Sequence, residues 1–549
     1  MLWAGALAAI VLRALYVLNH QTDSDEPQHL HVVWGWTHGL VQYRDLFDNH
    51  APLFHLLMAP FVALLGERAE IVTLARLLML PLVALAVWAT YLLGRALWSA
   101  RVGRWAAVLT ALAPGFLVTS VEFRADDLWM VAWLFALVAF FRGELTPRRA
   151  LVGGLMLGLA LATSLKSILL ILALAMAGMI ALAMSRRHCD RFAPRHGWRA
   201  LGWTAAGLAA APAMIVLVMW RLGALDAMFH CTIGHNVLPG LGLWRNASSR
   251  MLIFPAALAI LLPVAAFMLR RLPRSERRMP QVVLMLTTGL YFAMLEAFWP
   301  LITAEDFLPS TPMLLVLATA AVSSMLTRLE RSRAWLGRMR WIPAAAALVV
   351  VLDVTLAVRR EPAWIDHDLE QKQLLSDVLK ATRPGESIMD LKGETVFRPR
   401  PSYLILEGVT KARLDRGLIA DHIAAEIVRA RTHFVGPDNV FFPPAARRFL
   451  NEHFVSLGTL RVLGAMLGGA RAPEVGEWFD VSFPERFALI ADGNWARGLL
   501  DGLPFRQPVL LSAGPHVYRA HPGERHIELI WEEALDRGLV AGPALRAAR

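Results

Sequence analysis

Apolar runs of membrane-crossing length recur through residues 1–358, separated by short connections that carry arginine. A chain patterned in this way folds as a helical membrane bundle, because a helix of roughly 20 apolar residues satisfies its own backbone inside hydrocarbon. About eleven segments near that length can be placed, at 1–19, 71–94, 105–121, 127–141, 150–164, 168–185, 200–220, 251–269, 281–299, 308–326 and 341–358. Of the 549 residues, 56% are hydrophobic, more than a soluble chain of this length carries. The formal net charge of +11 lies in clusters between the apolar runs rather than along one face. The charge therefore reads as membrane topology and not as a nucleic-acid surface.

The arginines set the orientation. Alternate connections hold Arg95, Arg101 and Arg104; Arg142, Arg148 and Arg149; Arg186, Arg187, Arg191, Arg195 and Arg199. The alternation continues with Arg270, Arg271, Arg274, Arg277 and Arg278, and then Arg328, Arg331, Arg333, Arg338 and Arg340. The positive-inside rule places these loops and the N-terminus in the cytoplasm, and the intervening loops and the C-terminal region outside. Residues 1–19 lack a basic n-region and a cleavage site, so they read as the first span rather than a signal peptide. Cys189 and Cys231 fall on opposite sides and are not expected to pair.

Residues 1–358 thus form a transmembrane domain, with 20–66 as its first external loop. Residues 361–549 form an extracytoplasmic domain, mixed α/β first and a small β module last. Within it, 421–430 reads as helix, and 461–466 and 487–490 read as strands. The runs 500–503 and 508–518 read as paired strands with glycine turns. No catalytic motif stands out there, and either acceptor recognition or structural capping would suit it.

The first external loop gathers groups that move protons: Asp23, Asp25, Glu26, His29, His31, His38, Asp45, Asp48 and His50 lie between residues 23 and 53. Residues 52–66 are apolar but span only about 22 Å as helix, and Pro60 is expected to interrupt them. Together with 26–40 they read as helices lying in the membrane interface. Asp25 and Glu26 open the loop beside a transmembrane end, where they suit either acid–base work or a helix cap. His29 lies four residues after Asp25, so Asp25, His29 and His50 form a candidate ligand set for a divalent metal, with a hydrogen-bonded histidine as the alternative.

Lys166 is the sole lysine before Lys372, at an external membrane face where basic residues run against the topological bias. It suits an anion, or it snorkels. The second external turn, Glu122-Phe-Arg-Ala-Asp-Asp127, offers Arg124 to the same anion, with Asp126 and Asp127 holding the cations or forming a structural network. His230, His235, Arg245 and Arg250 come from the fourth external loop.

The pattern Asp25-Glu26-x-x-His29, Tyr43, then Asp48-Asn-His50-Ala-Pro-Leu53 resembles the first external loop of the GT-C glycosyltransferases. Among them it is similar to the protein O-mannosyltransferases and the 4-amino-4-deoxyarabinose transferases of lipid A. Ala51 stands where those families have the first proline of a His-Pro-Pro-Leu element. Ser164–Ser167 loosely resembles their Thr-Lys-Gly-like element, and 304–312 resembles a Leu-Pro-x-x-Pro element whose basic residue is replaced by Glu305 and Asp306. The resemblance implies an inverting transferase that moves a sugar from a polyprenyl-phosphate donor to an acceptor hydroxyl on a glycolipid, polysaccharide or protein. It further implies a bacterial inner-membrane setting and Asp25 as the base, with Glu26 as its helper or an acceptor ligand. Lys166, Arg124, His230, His235, Arg245 and Arg250 would face the donor phosphate, while His29, Tyr43, Asp48, His50, Asp126 and Asp127 would position sugar, acceptor or loop. The competing function is a transporter or flippase of a lipid-linked saccharide. It fits less well, because acids sit at span ends rather than at the bilayer midplane.

Overall fold

A computed structural model describes residues 2–187, 197–238, 277–299, 302–331, 341–467, 476–491, 493–524 and 526–539. The chain divides into two compact units, 1–26, 49–60 and 73–368 in the first and 27–48, 61–72 and 369–549 in the second.

The first unit is helical. Its elements are α1 (Leu2–Asn19), the first turn of α2 (Asp25–Thr37), the start of α3 (Leu53–Leu65), most of α4 (Ile71–Leu97), α5 (Ala100–Leu112) and α6 (Pro114–Thr119). They continue with α7 (Ala125–Phe141), α8 (Pro147–Thr163), α9 (Ser167–Arg187), α10 (Gly197–Arg221), α11 (Leu225–Phe229), α12 (Arg278–Phe298), α13 (Ser310–Arg331) and α14 (Trp341–Arg360). Each expected span falls on a helix except 251–269, which lies outside the described residues; 105–121 is divided between α5 and α6 at Pro114. By length and composition α1, α4, α9, α10, α12 and α13 are able to cross a membrane. The protein is a multi-pass membrane protein.

Local chemistry starts these helices where the sequence allows. The Ser99 hydroxyl accepts from the Val102 amide at 3.2 Å to cap α5, and Thr146 with Pro147 opens α8. Helix α7 is buried nearly all round, with Trp129 and Trp133 fully enclosed. Helices α8 and α10 meet through small residues: a Cβ on Gly154 would lie 2.2 Å from the Thr204 carbonyl oxygen, and one on Gly207 2.5 Å from that of Leu151. Dispersion across such close backbones is what holds helices together in lipid. Pro60 does not interrupt α3, contrary to the sequence expectation. The proline is on the exposed side, while Phe54, Met58 and Val62 repeat every fourth residue on a buried face. That packing outweighs the one backbone bond a proline removes.

Among the described residues the second unit is built on two sheets. Its strands are β1 (Ile388–Met389), β2 (Phe434–Val435), β3 (Phe454–Leu457), β4 (Leu460–Leu467), β5 (Glu477–Val481) and β6 (Glu485–Ala491). The rest are β7 (Asn494–Trp495), β8 (Gly498–Leu500), β9 (Leu503–Pro504), β10 (Val509–Leu511), β11 (Gly514–Ala520) and β12 (Ile527–Trp531). An eight-stranded sheet runs β1-β2-β4-β12-β6-β10 with β3 on β4 and β7 on β6, and a four-stranded sheet runs β5-β11-β8-β9. The expected strands at 461–466 and 487–490 are β4 and β6. The pairing of 500–503 with 508–518 appears in β8 against β11, with Leu500 opposite Tyr518. Because β12 lies between β4 and β6, the larger sheet draws on both halves of the C-terminal region.

First-loop residues are packed inside this unit. Asp390 organises a turn by accepting from the Gly393 amide at 3.0 Å, from the Thr395 amide at 2.9 Å and from Arg400 Nε at 2.7 Å. Gly393 has φ +106, and a Cβ there would lie 2.7 Å from the His31 Cβ, so both conformation and space require glycine. His31 Nδ1 donates to the Val396 carbonyl at 2.8 Å, and Arg398 pairs with Glu67 at 2.9 Å.

Candidate active site

Four connections that alternate with the arginine loops converge in the first unit. They are the stretch between α1 and α2, the α6–α7 turn, the α8–α9 turn, and the 3-10 turn Glu305–Phe307 before α13. Asp23 and Glu26 form a reciprocal cap at the start of α2. Asp23 Oδ1 accepts from the Asp25 amide at 2.9 Å, and Glu26 Oε2 accepts from the Asp23 amide at 3.1 Å.

Arg124, buried at the N-cap of α7, is the hub. Its Nη1 lies 2.8 Å from Asp23 and 3.5 Å from Glu122; its Nη2 lies 2.9 Å from Asp25 and 2.8 Å from Glu305; its Nε lies 3.4 Å from Asp126. Burial works against the guanidinium charge, but Asp25, Glu305, Asp126 and Glu122 more than restore it, so its pKa stands above the ordinary value. Lys166 Nζ lies 2.6 Å from Asp306, 3.6 Å from Asp126 and 5.8 Å from the centre of the Trp129 ring. Its pKa too is raised, burial being outweighed by Asp306, Asp126 and Glu305.

The two cations are cross-linked twice. Asp126 touches both, and the adjacent Glu305 and Asp306 take one each. Burial pushes the Asp306 carboxyl up despite Lys166; for Glu305 the pull of Arg124 and Lys166 overcomes burial and brings it to about 2. The arrangement fixes an ammonium and a guanidinium next to a partly exposed carboxylate, Asp25. Such a group of charges can hold an anion and take a proton in one place.

Glu26 is placed differently from its neighbour. It is fully buried, its Oε1 accepting from Arg76 Nε at 2.8 Å and from the Phe123 amide at 2.8 Å, and its Oε2 from Arg76 Nη2 at 2.6 Å. Arg76 also donates to the His20 carbonyl at 2.9 Å and lies 3.9 Å from Asp368. These bonds take up the lone pairs of Glu26 and anchor the start of α2. His20 bridges Glu361 and, at 3.3 Å, Glu122. Burial opposes the His20 charge, yet the bonds to Glu122 and Glu361 raise its pKa to about 9. Burial pushes Glu122 up to about 7 against His20 and Arg124.

The remaining candidates have the following surroundings. Asp127 is buried in the first turn of α7, and neither of its oxygens has a hydrogen-bond partner among the described residues. Arg13 is buried and donates to the Ser120 hydroxyl at 2.6 Å. His230 is exposed and His235 buried, at the two ends of a π-helical turn. The next residue, Asn236, donates to the Asn49 carbonyl at 3.3 Å, beside His50. Arg245 and Arg250 lie outside the described residues. His29, Tyr43 and Asp48 belong to the second unit. There Asp48 accepts from Gln28 at 2.9 Å and Gln42 at 2.6 Å, while the Tyr43 carbonyl accepts from the Tyr403 hydroxyl. Tyr43 has φ +72, a strained value for a side-chain-bearing residue. Among the described residues no group of three or more His, Cys, Asp or Glu that could hold a metal is found.

Sequence reasoning missed Arg76 and the pairing of Glu305 and Asp306. A charged residue inside the apolar run 71–94 was the available signal for Arg76. The acids of the 304–312 element looked like a loss of basic character, whereas they hold the two cations.

Residues 49–220 match the model of the dolichyl-phosphate-mannose-protein mannosyltransferase family. No curated protein matches the chain. Among solved structures, ArnT from Cupriavidus metallidurans in the apo state is similar with a TM-score of 0.53 and 14% identity, over 79% of this chain and 92% of that one. The same protein bound to undecaprenyl phosphate gives 0.47 and 12%, over 72% and 84%. The oligosaccharyltransferase AglB from Archaeoglobus fulgidus, in complex with an inhibitory peptide and a dolichol-phosphate, gives 0.46 and 12%, over 79% and 69%. The chain has the fold of the GT-C superfamily of membrane glycosyltransferases.

Proposed function

We propose that the protein transfers a sugar, with inversion, from a polyprenyl-phosphate donor to an acceptor hydroxyl at the outer face of a bacterial cytoplasmic membrane. One observation carries this reading: a partly exposed carboxylate, Asp25, sits 2.9 Å from Arg124, which Asp126 links to Lys166. Asp25 takes the proton of the acceptor hydroxyl as that oxygen attacks the anomeric carbon. The bond from that carbon to the phosphate oxygen breaks, and Arg124 and Lys166 stabilise the charge that develops on the leaving phosphate. Asp306 and Glu305 keep the cations in place, and Glu26 fixes the start of α2 so that Asp25 points the right way. The GT-C fold and the match of residues 49–220 to a dolichyl-phosphate-mannose transferase family support the donor class. The acceptor is a glycolipid, a polysaccharide or a protein.

Mass spectrometry of envelope lipids and glycans tests the proposal in wild type, a deletion strain and Asp25→Ala at normal protein level. One sugar mass is expected to vanish from a product in both altered strains. A deletion that changes no glycosylated product would rule out the transferase.

A further inference from the structure

A lysine reaches its ligand on a flexible four-carbon stem, so it serves a phosphate well only where its ammonium is held in place. Among the groups around Lys166 Nζ, Asp306 comes closest at 2.6 Å, against 3.6 Å for Asp126 and 5.8 Å for the centre of the Trp129 ring. The position of the ammonium therefore follows that of Asp306. Asp306 is held in turn. Its Oδ2 accepts from the Thr303 amide at 2.9 Å and the Thr303 hydroxyl at 3.3 Å, and its carbonyl accepts from the Tyr291 hydroxyl at 2.7 Å. Resting on the proposed function, we infer that Tyr291, with Thr303, is a positioning residue: the two fix the turn whose acids set the phosphate-facing cations.

Tyr291 lies in α12 and is fully buried. A buried hydroxyl is costly without a partner, and the Asp306 carbonyl supplies one. The bond runs to the backbone of the 3-10 turn Glu305–Phe307 and not to a side chain, so it fixes the turn as a whole. The next residue of α12, Phe292, stacks on Phe307 with ring centres 6.0 Å apart and planes 28° from parallel. Successive residues of the helix are thus tied to successive residues of the turn.

That turn carries a counter-ion for each cation. Glu305 lies 2.8 Å from Arg124 Nη2 and Asp306 lies 2.6 Å from Lys166 Nζ, so a shift of the turn moves both. Arg124 is also held by Asp23 and Asp25, at 2.8 and 2.9 Å, whereas Lys166 leans mainly on Asp306. Loss of the Tyr291 hydroxyl therefore acts chiefly through Lys166. Its effect falls on a bound phosphate and not on the polyprenyl tail, which separates positioning from a general loosening of the helices.

Titration of the full-length protein in lipid nanodiscs with undecaprenyl phosphate and with undecaprenol tests this, read by native mass spectrometry well below the melting temperature. The alcohol has the same tail without the phosphate, so the ratio of the two affinities reports on the cations. Wild type is expected to prefer the phosphate. Tyr291→Phe, which keeps the ring, and Thr303→Val, which loses the other hydroxyl, should each lower that preference by about three- to tenfold. Thr303→Ser should restore it, and affinity for the alcohol should stay constant throughout. A merely structural hydroxyl would change the melting temperature alone. The full preference kept by Tyr291→Phe, or by Thr303→Val should the first variant not fold, overturns the positioning role and leaves the proposed function standing. No preference for the phosphate in wild type overturns both.

Discussion

Asp25 and Glu26 are adjacent carboxylates at the start of one helix, each on an arginine, yet the two arginines make different surroundings. Around Arg76, Glu26 is fully buried and its oxygens are taken by a guanidinium and a backbone amide. Around Arg124, Asp25 is one of several acids sharing a guanidinium, and it keeps access to solvent. The first arrangement has one low-energy state and serves as structure. The second crowds several acids on one guanidinium and leaves Asp25 a quarter exposed, as the proposed base requires.

Substitutions can separate the two regions. The largest effect is expected for Asp25→Asn, a loss of transfer by about 10²–10⁴-fold with the melting temperature close to wild type. Glu26→Gln should do the reverse in kind, lowering stability by about 3–5 kcal/mol because Arg76 is left buried without its counter-charge; thermal melting in detergent checks it. Lys166→Ala leaves Asp306 in the same position, so the single variant should unfold early. The double variant with Asp306→Asn should recover stability while transfer stays down roughly 10²–10³-fold.

The joint at His20 gives a pH signature. Its folded pKa of about 9 lies above the ordinary 6.5, so its contribution is complete below 6.5 and is lost as pH rises through 9. Melting temperature is expected to fall over that window, by up to about 3 kcal/mol of stability, and His20→Gln should remove this slope. The smallest effect lies away from both arginines. Gly154→Ala should cost about 1–3 kcal/mol by forcing α8 from α10, with the per-molecule activity of the remaining folded protein preserved.

Much of this was legible in the sequence. The apolar period located the helices, and the alternation of arginine loops put Asp25, Arg124 and Lys166 on one side of the bundle before any coordinates. Convergence at one end follows from topology, since connections on one side of a helical bundle have few places to go. Partner choice was not legible. Arg76 with Glu26 and Lys166 with Asp306 are contacts between residues far apart in sequence, decided by helix rotation and packing. Nor was the division of the first loop legible: Asp25 and His50 belong to one compact unit and His29, Tyr43 and Asp48 to the other. Asp48 reads as a loop acid and is a buried acceptor for Gln28 and Gln42.

The most direct measurement compares Asp25→Asn with Glu26→Gln in one preparation, reading both the melting temperature and the mass of the glycosylated envelope product. Asp25→Asn should melt like wild type and make no product, while Glu26→Gln should melt much lower. Product formation at the wild-type level by Asp25→Asn would contradict the assignment of Asp25 as the base.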